Sequence, residues 1–276
     1  MWDWILILFF VSIIIGTFSV ISGIEIGLLF IPVILAFFPF HFDFIKTCGL
    51  IIGLTGSLAA SPGFLKENLS NLKITFPIAF IMSISSILGA IIGIILPEKV
   101  LYIGLAILIF FVCIFYIIVR LKLSEFPCVK RPDYLSRLLH LSGIMEDNTT
   151  GRLLEWKAHR VPISFMALII IAMLTGMFGI TTGWASIPIL NLLMGLPLRI
   201  SVATSKFLIT ITHSTALWIF INQGSIIPLI IVPSLVGTML GASIGIRILD
   251  YFNHTIVRRI TIITLVFIGI KIFMKA

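Results

Sequence analysis

Long stretches of this chain carry no charge at all, and that constrains the fold more than any other feature. No Asp, Glu, Lys or Arg lies between Lys73 and Glu98, between Lys99 and Arg120, between Arg160 and Arg199, or between Lys206 and Arg247. About 20 apolar residues take a helix across the hydrocarbon of a bilayer. Only helices or closed barrels pair every backbone group there. The runs are too long and continuous for barrel strands, which alternate over about ten residues. Composition agrees: of 276 residues, 59% are hydrophobic and 11% charged, against about 25% charged in soluble domains. The chain is therefore expected to be an all-α integral membrane protein, multi-pass, in a bacterial-type inner membrane.

Apolar segments fall at 4–22, 24–40, 46–62, 74–96, 100–120, 161–181, 184–196, 200–221, 226–246 and 257–274. Eight are long enough to span. The second and seventh are short, and each follows a break rich in Gly, Ser or Thr. Hydropathy thus gives about eight helices, or up to ten segments. No Lys or Arg precedes the first run, so that run is expected to stay as a helix rather than act as a cleaved signal. Trp2 and Trp4 suit an interfacial belt.

Residues 120–160 form the one long polar stretch and divide the chain into membrane halves 1–119 and 161–276. The stretch holds eight Lys or Arg against five acids. Tyr134, Leu135, Leu138, Leu139 and Leu141 suggest a short amphipathic helix on the membrane surface. Asn148-Thr149-Thr150 fits a glycosylation pattern, but a cytoplasmic linker would leave it unused. The net charge of +8 reports loop orientation in a membrane protein rather than nucleic-acid binding.

The halves resemble each other. Gly23, Gly27, Ile31 and Pro32 recur as Gly179, Gly183, Ile187 and Pro188. After a one-residue slip, Thr47, Thr55, Ser57 and Ala59 recur as Thr204, Thr212, Ser214 and Ala216. With five segments per half, the inside receives Lys66, Lys73, the basic linker, Arg199, Arg247, Arg258 and Arg259; Lys46, Lys99, Lys271 and Lys275 fall outside. That count satisfies the positive-inside rule. An odd number per repeat also inverts one half relative to the other, as in many secondary transporters.

The candidate site residues sit on matching elements of the two repeats. In the breaks they are Ser22, Gly23, Glu25 and Gly27, and Thr181, Thr182 and Gly183. A helix restarting after a break aims its partial positive charge inward, which suits an anion. Small-residue helix packing is the competing explanation for the paired glycines. Thr47, Thr204 and Ser205 are candidate hydroxyl donors. Lys206, Thr210 and His213 share one face of the 200–221 helix. Ionisable groups inside a span are costly and commonly face a cavity. Lys206 would supply charge unless it reaches back to the interface. Glu25 and His213 are candidate proton carriers; Glu25 could equally pair with Lys206 or face water, and His213 could be a packing residue. Cys48 and Cys113 read as structural thiols. No HExxH, GxSxG, Walker A or CxxC pattern occurs, and the histidines lack ligand spacing. No enzyme activity, cofactor or metal is expected.

The Gly-rich break before Pro32, the matching element ending at Pro188, and Ala203-Thr204-Ser205 resemble the TauE/SafE sulfite-exporter family over essentially the whole chain. Two features depart from its pattern. Ile24-Glu25-Ile26-Gly27 stands where consecutive glycines are usual, and Lys206 follows the Ala-Thr-Ser triplet. The resemblance implies movement of small sulfur-containing anions such as sulfite or organosulfonates. The expectation is a secondary transporter working by alternating access, with the site between the repeats. An anion channel, or a structural subunit docking a cytoplasmic partner through the 120–160 segment, are the alternatives. Expected partners are the small anion and the bilayer, with a homodimer allowed.

Overall fold

The computed structural model describes residues 2–66, 72–119, 133–139, 141–146, 153–248, 251 and 254–275. Each half contributes five helical segments. The first half has α1 (Trp2–Ser22), α2 (Ile26–Phe37), α3 (Phe42–Lys66), α4 (Leu72–Ile95) and α5 (Glu98–Val119). A short helix α6 (Tyr134–Leu138) and a hairpin, β1 (Ser142–Glu146) with β2 (Leu153–Lys157), link it to the second half. There α7 (Val161–Phe178), α8 (Gly183–Pro188), α9 (Leu198–Asn222), α10 (Pro228–Ile248) and α11 (His254–Lys275) follow, and α8 runs on into a π-helical stretch, Ile189–Leu193.

Six helices among the described residues are long and apolar enough to cross a membrane: α1, α3, α4, α5, α7 and α10. Helices α9 and α11 have 25 and 22 residues but carry charges. Helix α2 and the Gly183–Leu193 segment are the two short apolar pieces. The burial pattern is that of a lipid-embedded bundle, since large apolar side chains face outward along the helices. Phe76 is 77% and Phe80 65% exposed, and Ile95, Met166, Trp218 and Phe267 are similar. A water-soluble surface rarely presents such a contiguous apolar belt. The chain is thus an all-α multi-pass membrane protein, apart from its linker.

Packing between the halves is reciprocal. Helix α1 lies along α10, and its counterpart α7 lies along α4, the counterpart of α10. Both seams are built on glycine. On α1–α10, a Cβ at Gly237 would sit 2.6 Å from the Phe9 carbonyl, and one at Gly241 would strike the Ile13 carbonyl. On α4–α7, a Cβ at Gly93 would sit 2.7 Å from the Met177 carbonyl, and Gly89 and Gly176 are as tight against Met173 and Ser86. Without a hydrophobic drive between helices in lipid, such close backbone approach supplies the dispersion contacts that hold them together. Prolines 77 and 233 occupy matching positions in α4 and α10.

The linker is richer than its sequence suggested. The expected surface helix is limited to the five residues of α6, and an antiparallel hairpin follows, pairing Ser142 with Lys157 and Glu146 with Leu153. Trp156 within β2 and Leu141 just before β1 are buried. The Asp133 carboxylate accepts from the Val161 N–H at 2.9 Å, satisfying the start of α7. The His159 N–H donates to the Met194 carbonyl and ties the linker to the end of the π-helical stretch. Residues 120–132 and the Asn148 pattern lie outside the described residues.

Lys46, expected at the outer edge of the 46–62 segment, lies about one turn inside α3, which begins four residues earlier than that apolar run. It is fully buried, with Nζ 2.6 Å from Asp43 Oδ1 and donating to the Gly93 carbonyl at 2.9 Å. The Phe42 and Phe220 rings flank it at 5.0 and 5.2 Å. Removing one member of such a pair strands the other's charge. Lys46→Met is therefore expected to cost about 2–3 kcal/mol, below the full buried-pair range because Asp43 keeps some solvent contact. Thermal unfolding in detergent checks this. Asp43→Asn added to Lys46→Met should recover most of the loss, and no recovery would remove the pair as the cause.

Candidate functional site

The two breaks meet each other at the centre of the bundle. Each ends its helix on a glycine in the left-handed region, Gly23 at φ 66° and Gly179 at φ 74°, where an L side chain would be strained. The two glycines match in the sequences of the two halves, and each has the same conformational cause. Ser19 Oγ donates to the Ile24 carbonyl at 2.6 Å, and Ser22 Oγ accepts from the Ile24 N–H at 3.3 Å, fixing the first turn. In the second, the Gly179 N–H closes on the Thr175 carbonyl at 2.7 Å. The contacts across the breaks repeat as well. A Cβ on Gly27 would sit 2.7 Å from Thr181 Cγ2, while one on Gly183 would strike the Glu25 carboxylate. Since Glu25 aligns with Thr181 and Gly27 with Gly183, this is one contact made twice.

Beside this junction lies a cavity of about 320 Å³. Ser19, Gly23 and Glu25 come from the first break, Thr181 from the second. Helix α3 adds Gly53, Thr55, Gly56 and Ser57, α9 adds Lys206, and α10 adds Thr238. Lys206 does not reach back to an interface. Its Nζ is 3.1 Å from Glu25 Oε1, with the two side chains 27% and 14% exposed. Glu25 thus pairs with Lys206 at the cavity wall, while its Oε2 and the Thr181 hydroxyl are buried without a hydrogen-bond partner. Thr210 Oγ1, one turn along from Lys206, is 2.9 Å from Ser57 Oγ and closes α9 onto α3.

Of the candidate residues, Gly23, Glu25, Thr181 and Lys206 line the cavity. Gly27 and Gly183 form the contact behind it. Ser22 belongs to the turn. Thr47 spends its hydroxyl on the Asp43 carbonyl at 2.8 Å, and Ser205 is held by Ser186 at 2.7 Å. His213 lies one layer away: Gly53 separates it from the cavity, and Nδ1 is 3.1 Å from the Leu50 carbonyl. The Thr181, Thr182 and Thr204 hydroxyls, Glu25 Oε2 and His213 Nε2 are buried without a hydrogen-bond partner. Such groups are rare in folded proteins, and their gathering around one junction marks it as polar by construction. Sequence reasoning missed the α3 and α10 contributions. The recurrence of Thr55 and Ser57 as Thr212 and Ser214 was the available signal for α3; Thr238 carried none. Among the described residues no group of His, Cys, Asp or Glu could hold a metal ion.

A helical bundle embedded in lipid, with a charged cavity at the meeting point of two interrupted segments, has the architecture of a membrane transporter. Residues 8–272, nearly the whole chain, match the family Sulfite exporter TauE/SafE, and the chain belongs to that family. It is a family of multi-pass membrane transporters. No curated protein and no solved structure matches the chain.

Proposed function

We propose that this protein is a secondary transporter of a small anion, sulfite or an organosulfonate, bound in the cavity between the two breaks. The observation that carries the reading is the Lys206–Glu25 pair at that junction, a cation on the wall of a cavity where the two breaks meet. Family membership supports the substrate class. Lys206 supplies the charge and Thr181, whose hydroxyl has no hydrogen-bond partner, supplies a donor; Thr55, Ser57 and Thr238 line the wall with hydroxyls already donated to carbonyls of their own helices. A cavity of about 320 Å³ is at the small end of ligand pockets, and suits an anion of a few heavy atoms.

The reciprocal packing supports a reading of alternating access. The α1–α10 and α4–α7 seams are equivalent units flanking the α3–α9 centre, so rocking one against the other would expose the junction to each side in turn. A channel would instead keep the cavity continuous with both sides. Uptake of radiolabelled sulfite or methanesulfonate into proteoliposomes separates the two. Saturating uptake, accelerated by unlabelled anion inside, is expected. Flux that rises linearly with concentration and ignores the far side would overturn the carrier reading.

A further inference from the structure

Resting on the reading of this cavity as an anion site, we infer that Glu25 is a tethered competitor for Lys206, and that the transported species is a monoanion moved together with one proton. The carboxylate of Glu25 already occupies the place a substrate anion would take. It is 3.1 Å from Lys206 Nζ and lies against Gly183, where any side chain would collide with it. Gly183 begins the apolar helical segment that runs to Leu193. An incoming anion therefore meets a lysine that is already neutralised.

Charge balance then fixes the stoichiometry. Empty, the pair carries no net charge. A monoanion arriving alone would leave one uncompensated negative charge in a low-dielectric bundle, which is strongly disfavoured. If Glu25 takes up a proton as the anion takes Lys206, the loaded site is neutral again. A dianion would stay under-compensated even then. Among the described residues, no other charged group pairs with the carboxylate. From α9, Lys206 and His213 are the titratable neighbours, and His213 stands behind Gly53 with Nδ1 on the Leu50 carbonyl. From α11, Arg258 donates to the Ser22 carbonyl at 3.4 Å rather than to Glu25. The cavity-lining residues of α3 and α10 and Thr181 carry hydroxyl, glycine or apolar side chains. Apolar walls from Val20, Ile24, Ile52, Ile209 and Met239 favour an anion with a short apolar tail over a fully hydrated one.

Because empty and loaded forms are both neutral, transport by the native chain is electroneutral. In Glu25→Gln the empty site carries Lys206 alone, so each cycle moves one charge. The test is radiolabelled methanesulfonate uptake into proteoliposomes under an imposed pH gradient, or under a potassium–valinomycin potential. Native protein should follow the pH gradient and ignore the potential. Glu25→Gln should follow the potential and lose its response to pH. The experiment on native protein stands alone should the variant fold poorly: uptake driven by potential there overturns the inference. A Glu25→Gln protein that keeps its pH drive also overturns it while leaving the anion site intact. Absence of uptake of any small anion by native protein would overturn the site reading and this inference with it. Labelled sulfate should be carried at least tenfold more slowly than methanesulfonate, and equal rates would contradict the monoanion preference.

Discussion

Replacing Lys206 with Met is expected to reduce small-anion flux by about 30- to 150-fold, the equivalent of about 2–3 kcal/mol for losing one partner of a hydrogen-bonded charge contact. The same change leaves Glu25 at the cavity wall without its cation, so the protein should also unfold at a lower temperature. The two effects come apart in the double variant. Adding Glu25→Gln removes the stranded carboxylate and should restore the unfolding temperature while flux stays low. Measuring both quantities for the native protein, both single variants and the double variant gives the coupling between the groups. Recovery of flux in the double variant would show that Lys206 serves only to neutralise Glu25. Unchanged flux in Lys206→Met would remove it from the site.

The second large effect concerns assembly. Gly176→Leu is expected to abolish the monodisperse folded protein, because any side chain there enters the Ser86 carbonyl and lies 2.8 Å from the Ala90 N–H. Overpacking usually costs about 1–3 kcal/mol when side chains can yield; here the obstruction is backbone, and the α4–α7 seam would have to open. Gly241→Leu should do the same to α1–α10, since it meets the Ile13 carbonyl. Gly56→Leu provides the contrast. Nothing lies within 4 Å of a Cβ there, yet the residue lines the cavity. It should give a normal size-exclusion peak and a blocked transporter. A well-folded Gly176→Leu protein, or a fully active Gly56→Leu protein, would contradict the respective assignment.

These elements differ in how legible they were in the sequence. The helices followed from charge-free runs, because lipid leaves a chain no other way to pair its backbone. The breaks were legible for a similar reason: Gly23 and Gly179 repeat because both must adopt positive φ. Lys206 and Glu25 stood out as ionisable groups among apolar neighbours, although their pairing across 181 residues could not be read from spacing. Other features were hidden. Lys46 looked like the edge of a span because the apolar run begins there, whereas with Asp43 it forms an ion pair inside α3. Thr55, Ser57 and Thr238 reach the cavity through tertiary packing, which leaves no periodic trace among so many small residues. The hairpin was invisible because its five-residue strands lack a clean alternation and have few β-branched residues.

The central claim is that the junction of the two breaks holds the transported anion at Lys206. Electron cryomicroscopy of the protein with and without saturating methanesulfonate tests it most directly. The account predicts anion density within hydrogen-bond distance of Lys206 Nζ and beside Thr181, with the Glu25 carboxylate displaced from its 3.1 Å contact. Density elsewhere, or an anion bound with the Lys206–Glu25 contact intact, would contradict it.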